Sequence, residues 1–98
     1  MNVKGKVILI TGAGGGLGSE MAKVLSKHGA KVWLLDLDAE KGQAVTDEIL
    51  SAGGDAWFVN MDVTSEEDWS NAVKLAVDTC GRLDVLVNNA GINIRKPV

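Results

Sequence analysis

A cluster of glycines near the amino terminus is the part of this sequence best suited to bind a phosphate. Five of the chain's twelve glycines directly follow the apolar run Val7–Thr11, namely Gly12, Gly14, Gly15, Gly16 and Gly18. Glycine permits a tight turn and lets the backbone approach a ligand without an intervening Cβ. A helix starting there would add free N–H groups and the positive end of its dipole. Any tight strand-to-helix turn tolerates glycine, however, so the cluster alone leaves a purely structural role open.

Two aspartates follow later apolar runs and could complete a nucleotide site. Asp36 ends the second run, 20 positions beyond Gly16, where a carboxylate can accept hydrogen bonds from adenosine ribose hydroxyls. Asp62 follows the third run, next to the expected place of an adenine, although a turn or cap role fits it equally well. Ligands of open α/β sheets bind beyond the carboxyl ends of the strands, so these residues would meet at one edge.

The elements that must position these residues alternate along the chain. Four short apolar runs are predicted to be buried strands: Val7–Thr11, Val32–Leu35, Ala56–Val59 and Leu83–Val87. Three helix-like stretches separate them, so the connections are too long for hairpins. Right-handed crossovers then predict an α/β fold with a parallel sheet and helices on both faces.

Helical spacing predicts which side chains face that sheet. The inner stripe of the first helix is Leu17, Met21, Val24, Leu25 and His28; that of the second is Val45, Ile49 and Ala52; that of the third is Trp69, Ala72, Val73, Ala76 and Cys80. Asp38 is predicted to cap the second helix. Thr64 and Glu67 are predicted to form a capping box at the start of the third.

Composition excludes several classes of partner. Ten Lys and Arg against thirteen Asp and Glu give a net charge of −3, and no basic block predicts nucleic-acid binding. No apolar run approaches the about 18–20 residues that span a bilayer, so we expect no membrane partner. Cys80 is the only cysteine, which rules out an internal disulfide and favours a cytoplasmic location. The acidic turn at residues 66–68 suits a helix N-terminus, and we expect no metal site.

Taken together, these residues resemble the N-terminal part of a short-chain dehydrogenase/reductase. Thr11-Gly12-x-x-x-Gly16-x-Gly18 fits that family's glycine motif. Its next landmarks follow in order: Asp36, then Asp62-Val63, then Asn88-Asn89-Ala90-Gly91. The four motifs cover practically the whole chain.

The resemblance implies a fold and a set of site residues. The fold is a partial doubly wound, Rossmann-like sheet of four strands and three helices in the order 3-2-1-4, with residues 1–98 as an NAD(P)-binding domain that ends after the fourth strand. The implied roles are a pyrophosphate cradle at Gly12, Gly14, Gly15, Gly16 and Leu17, a ribose contact at Asp36, adenine contacts at Asp62 and Val63, and a cofactor floor at Asn89, Ala90 and Gly91. Asn88 would tie the fourth strand to its neighbours. NADP-preferring members often carry a basic residue where this chain has Gly15, so the resemblance implies NAD.

The implied activity is hydride transfer between NAD and a small alcohol or ketone, in a homo-oligomer. The family's catalytic Ser, Tyr-x-x-x-Lys pair and Asn lie beyond the fourth strand, and this sequence contains no tyrosine. We therefore expect residues 1–98 to be the leading part of the enzyme and to contain no catalytic residue. A Tyr-x-x-x-Lys motif is expected about 50–80 residues further on. The exposed edge of the strand Leu83–Val87 predicts that the isolated chain self-associates.

Two other functions stay open on the sequence alone. The glycines with Asp36 and Asp62 also resemble the adenosine site of an S-adenosylmethionine-dependent methyltransferase. That family usually has an acid just before the glycines, where this chain has Ile10 and Thr11, and it does not explain Asn88 to Gly91. The second alternative is a non-catalytic nucleotide-binding or dimerisation module.

Overall fold

A parallel four-stranded sheet organises the chain. The computed structural model describes residues 2–89. Its elements are β1 (Val7–Thr11), α1 (Gly16–Lys27), β2 (Lys31–Asp36), α2 (Ala39–Ser51), β3 (Asp55–Asn60), α3 (Glu66–Cys80) and β4 (Val85–Val87). The strands pair in parallel in the order β3-β2-β1-β4, which confirms the predicted fold and sheet order. The fourth strand is shorter than predicted, because regular pairing with β1 begins at Val85.

The core lies on both faces of the sheet. Every residue of β1 is buried, since alternate side chains point to opposite faces and helices cover each face. Under α1 and α2 the buried cluster includes Ile8, Ile10, Val32, Leu34, Val45 and Ile49. Under α3 it includes Val7, Leu9, Trp33, Leu35, Ala72 and Ala76. The central strand therefore gives the loop that follows it a rigid base.

Helix α1 packs through small residues together with Met21 and Leu25, two of the five residues of the predicted apolar stripe. Its buried residues are Gly18, Ser19 and Ala22. Leu17 is 62% exposed and Val24 is 43% exposed, so both were wrongly placed on the inner face. His28, also predicted there, is the exposed C-cap. These small side chains let α1 lie close to the sheet. The larger side chains of Leu17 and Val24 then point sideways, into an open groove of about 500 Å³ beside β4.

The other two helices begin at polar caps. Asp38 caps α2 as predicted, its carboxylate accepting from the Lys41 N–H at 3.0 Å. At α3 the predicted capping box is wrong by one position: Ser65 is the N-cap and accepts from the Asp68 N–H at 3.1 Å. Thr64 lies one residue before this cap, and its hydroxyl donates to the carboxylate of Asp62 instead. The predicted inner residue Ala52 is exposed, since it lies at the C-cap of α2.

Two tryptophans pair across the middle of the sheet. Trp33 on β2 is in register with Trp57 on β3, and their rings stack with centroids 4.9 Å apart and planes 11° from parallel. Trp33 is buried, whereas Trp57 and Trp69 are partly buried against the same cluster.

Within residues 2–89, no helix is both long and apolar enough to cross a membrane.

Candidate functional site

The loop between β1 and α1 (residues 12–16, the glycine loop) lies at the carboxyl edge of the sheet. Gly12 has φ +63° and Gly16 has φ +54°, left-handed conformations that favour glycine. The Gly12 N–H donates to the Leu35 carbonyl at 2.8 Å, and the Ala13 N–H reaches the same oxygen at 3.4 Å. The start of the loop is thus fixed to β2 before α1 begins.

Asp36 holds the middle of the glycine loop. Its Oδ2 accepts from the Gly14 N–H at 2.7 Å, and its Oδ1 accepts from the Asp38 N–H at 2.8 Å. Each carboxylate oxygen can accept a second hydrogen bond, so two acceptor positions remain for a ligand. The structure therefore brings Asp36 to the loop, where the sequence placed it, and adds a direct bond to Gly14 that the sequence did not predict.

The end of β4 closes the other side of the loop. The Asn89 amide, which is buried, donates to the Gly12 carbonyl at 3.3 Å. The buried Thr11 hydroxyl donates to the side-chain oxygen of Asn88 at 3.2 Å, which ties β4 to β1 as predicted for Asn88. A Cβ on Gly18 would collide with the Gly12 carbonyl and the Asn89 amide, so this glycine permits the close packing. The predicted site residues Ala90 and Gly91 lie outside the described residues.

The turn after β3 carries the two predicted adenine contacts. The Asp62 carboxylate accepts from the Thr64 hydroxyl at 2.7 Å and from the Thr64 N–H at 2.8 Å, and these two bonds lower its pKa below the ordinary value. The Asp62 N–H donates in turn to the Asp68 carboxylate at 2.9 Å. Val63 beside it is 37% exposed. This turn thus presents a fixed carboxylate next to an accessible apolar side chain.

Sequence reasoning missed three residues at this edge. The Asn60 amide donates to the carbonyls of Asp36 and Leu37, both at 2.9 Å, and so holds the end of β2. Leu37 is 71% exposed directly beside Asp36. Lys41, in the first turn of α2, also lies near the loop, since its Cβ would be 3.1 Å from a Cβ added at Gly14. Only the topology, which stacks the ends of β2 and β3 with the start of α2, could have revealed these contacts.

The arrangement suits the parts of a nucleotide. Because the first turn of α1 has N–H groups without partners inside the helix, it can bind a phosphate. The Asp36 carboxylate can accept from a ribose diol, and exposed Val63 and Leu37 can contact a flat base.

Within residues 2–89, no group of three or more His, Cys, Asp or Glu is placed to hold a metal ion.

Comparison with known proteins decides the family. A family model described as short chain dehydrogenase matches residues 6–98. The chain belongs to the short chain dehydrogenase family. This confirms the resemblance carried by the glycine loop, Asp36, Asp62 and Asn88 to Gly91, and it rules out the methyltransferase alternative.

Individual relatives in this family are similar along nearly all of the chain. An uncharacterized oxidoreductase from Thermotoga maritima is 50% identical over 92 residues, covering 94% of this chain and 36% of the relative. Cyclopentanol dehydrogenase from a Comamonas strain is 44% identical over 96 residues, covering 98% of this chain and 38% of the relative. A solved 7α-hydroxysteroid dehydrogenase, complexed with NADH and 7-oxo glycochenodeoxycholic acid, superposes with a TM-score of 0.85 at 39% identity, covering 89% of this chain and 34% of that one. The chain spans a little over a third of the length of these relatives.

Proposed function

We propose that residues 1–98 form the NAD-binding part of an oxidoreductase that interconverts an alcohol and a ketone. The observation that carries this proposal is the Asp36 carboxylate, bonded to the Gly14 N–H beside the amino terminus of α1. A carboxylate at the end of β2 and a glycine turn before a helix are the two groups that a dinucleotide's ribose and phosphates require. Family membership and the NADH-bound relative support the same reading.

The local structure of the glycine loop supports a narrower phosphate cradle than the sequence predicts. The pyrophosphate would meet the first turn of α1, around Gly15, Gly16 and Leu17, because the N–H groups of Gly12 and Gly14 already bond to β2. Asp62 and Val63 would contact the adenine, and Asn89, Ala90 and Gly91 would lie under the rest of the cofactor. When bound, the nicotinamide accepts or donates a hydride.

The same carboxylate favours NAD over its 2′-phosphorylated form. A ribose diol donates hydrogen bonds to Asp36, and such charged bonds contribute about 1.5–3 kcal/mol. A 2′-phosphate would bring a second negative group against it. Lys41 is positively charged and its side chain starts beside the loop. Any attraction between Lys41 and a 2′-phosphate must therefore be measured separately from the effect of Asp36.

Calorimetric titration of the chain with ADP-ribose and with 2′-phospho-ADP-ribose tests the cofactor assignment. We expect ADP-ribose to bind more tightly by about tenfold or more. Asp36→Ala should shrink this gap, chiefly by weakening ADP-ribose, while Lys41→Met should leave it unchanged or widen it. Equal or tighter binding of the 2′-phosphate form to the unmutated chain would contradict the role of Asp36.

For the whole protein, we propose a secondary alcohol on a carbon ring as the substrate class. Two of the relatives described above are named for such alcohols, cyclopentanol and a hydroxysteroid. The test is NAD reduction by the whole protein with cyclopentanol, with a linear secondary alcohol and with a primary alcohol of equal carbon number. Faster turnover of the primary alcohol would overturn this substrate class without affecting the cofactor assignment.

A further inference from the structure

Gly14 leaves open the space beside the Asp36 carboxylate. A Cβ added at Gly14 would lie 2.8 Å from Asp36 Oδ2, closer than a side-chain carbon normally approaches an oxygen. The same Cβ would lie 3.1 Å from the Gly42 backbone nitrogen and 3.1 Å from the Lys41 Cβ, both on α2. A side chain at position 14 would therefore be crowded from two sides, and one of these neighbours would have to move.

Helix α2 is the neighbour that cannot move away. Gly42 faces the ring of Phe58 on β3 so closely that even a Cβ there would collide with the ring. The Gly42 N–H is also bonded to the Asp38 carbonyl at 3.0 Å, inside the first turn of the helix. Close-packed groups of this kind resist displacement, because a shift on one side creates overlap on the other. The Asp36 carboxylate, at the end of a rotatable side chain, is the group that would yield.

We propose that Gly14 is a specificity-determining residue, because the absence of a side chain there keeps the Asp36 carboxylate in place to distinguish a ribose diol from a 2′-phosphate. This inference rests on the proposed function and extends it to a residue that the sequence assigned only to the phosphate cradle. A methyl group at position 14 pushes the carboxylate away from the loop and breaks its bond to the backbone N–H. The ribose then loses its acceptor, and the 2′-phosphate loses its repulsion.

Gly15 provides a matched control within the same loop. A Cβ at Gly15 meets nothing within 4 Å among the described residues. Its φ of −166° is extended backbone that any residue adopts. Gly15→Ala therefore makes the same chemical change one residue away without touching Asp36.

The experiment compares the ratio of the two dissociation constants, for 2′-phospho-ADP-ribose and for ADP-ribose, across the unmutated chain, Gly14→Ala, Gly15→Ala and Asp36→Ala. Using a ratio cancels any loss of phosphate affinity common to both ligands. We expect Gly14→Ala to lower the ratio at least about threefold, toward that of Asp36→Ala, and Gly15→Ala to keep it within about twofold. If the Gly14→Ala chain does not fold by circular dichroism, the same ratio is measured on the whole protein with and without Gly14→Ala.

A measurement without ligand separates this inference from the proposed function. The N–H resonance of residue 14 in a ¹⁵N-labelled chain should shift on going from the unmutated chain to Asp36→Ala, because Gly14 loses its acceptor. The same Asp36→Ala change should shift this resonance much less in Gly14→Ala, where the bond is already broken. An unchanged binding ratio in Gly14→Ala, or an equal loss in Gly15→Ala, would overturn the inference alone. Failure of the folded, unmutated chain to bind ADP-ribose would overturn the proposed function and this inference with it, whatever the resonance of residue 14 shows.

Discussion

Long-range hydrogen bonds between side chain and backbone hold different segments at the two ends of the sheet, a loop at one and a strand start at the other. At the carboxyl end, side chains of Asp36 and Asn89 bond to the backbone of the glycine loop, which is distant from both in sequence. At the amino end, the Asp84 carboxylate accepts from the first N–H of β1, at Val7, and pairs with Arg82. The carboxyl end therefore has an ordered loop with acceptors still open to a ligand, whereas the amino end uses its carboxylate to start a strand.

This difference indicates that binding and stability are separable in this fold. Bonds at the carboxyl end order a loop that contributes little buried apolar area of its own, so their loss should appear in ligand affinity as well as in stability. Bonds at the amino end contact no candidate site residue among residues 2–89, so their loss should appear in stability alone. The following substitutions test the comparison at each end.

The largest effect is expected from Gly18→Ala, at the carboxyl end. The added methyl would collide with the Gly12 carbonyl and the Asn89 amide. Overpacking of this kind costs about 1–3 kcal/mol, and it should also weaken ADP-ribose binding because the glycine loop must shift. Urea denaturation and calorimetry measure the two effects, and Gly15→Ala is the control for the loss of stability, since a Cβ there meets nothing within 4 Å among the described residues. A stable Gly18→Ala variant with normal affinity would show that the loop tolerates displacement.

Thr11→Val should cost about 1–2 kcal/mol, because it removes a fully buried hydroxyl that bonds to Asn88 while keeping the shape of the side chain. Thr46→Val is the matched control: Thr46 is also buried, but its hydroxyl only bonds back to the Gly42 carbonyl within its own helix. If both variants lose the same free energy of unfolding, the bond between β1 and β4 stabilises the fold no more than a bond within one helix.

The cap of α3 gives a smaller effect. Ser65→Ala should lower the free energy of unfolding by about 1 kcal/mol, since it removes the side-chain acceptor of the Asp68 N–H. Thr64→Val should cost less and should instead raise the pKa of Asp62, which loses its hydroxyl donor. Carboxylate titration by NMR distinguishes the two. A larger loss of unfolding free energy in Thr64→Val than in Ser65→Ala would indicate that Thr64 is the cap.

At neutral pH the smallest effect is expected from Asp84→Asn, at the amino end. The Arg82 side chain, with the Val7 N–H, lowers the pKa of Asp84 below its ordinary value of 3.8. The charged Asp84 carboxylate therefore stabilises the fold fully above its ordinary pKa of 3.8. This stabilisation decreases as the pH falls from there to the lower pKa of the folded state. Asp84→Asn should flatten the decline in melting temperature between about pH 5 and pH 3. An equally steep decline in Asp84→Asn would contradict this contribution of Asp84.

The sequence predicted what depends on strong local patterns. Continuous apolar runs predicted the strands, the family resemblance predicted their order, and the spacing from Gly16 to Asp36 predicted that this carboxylate lies at the loop. The orientation of α1 was not predictable, because hydrophobicity pointed to Leu17 and Val24 while close packing selects Gly18 and Ala22. The α3 cap was missed because two adjacent hydroxyls could serve: Thr64 bonds to Asp62 within the preceding turn, and Ser65 caps the helix. Side-chain bonds between distant loops leave no local pattern to read.

The stacked pair of Trp33 and Trp57 has an optical consequence. Two indoles 4.9 Å apart are close enough to couple their electronic transitions, and a twist between the two transition dipoles within the stack gives a paired positive and negative band in circular dichroism. The rings come from different strands in direct register, so the band requires β2 and β3 to be correctly aligned. A slip of one residue would send one ring to the opposite face of the sheet and abolish the band. The chain thus carries its own spectroscopic reporter of strand alignment, readable apart from the helical signal during refolding.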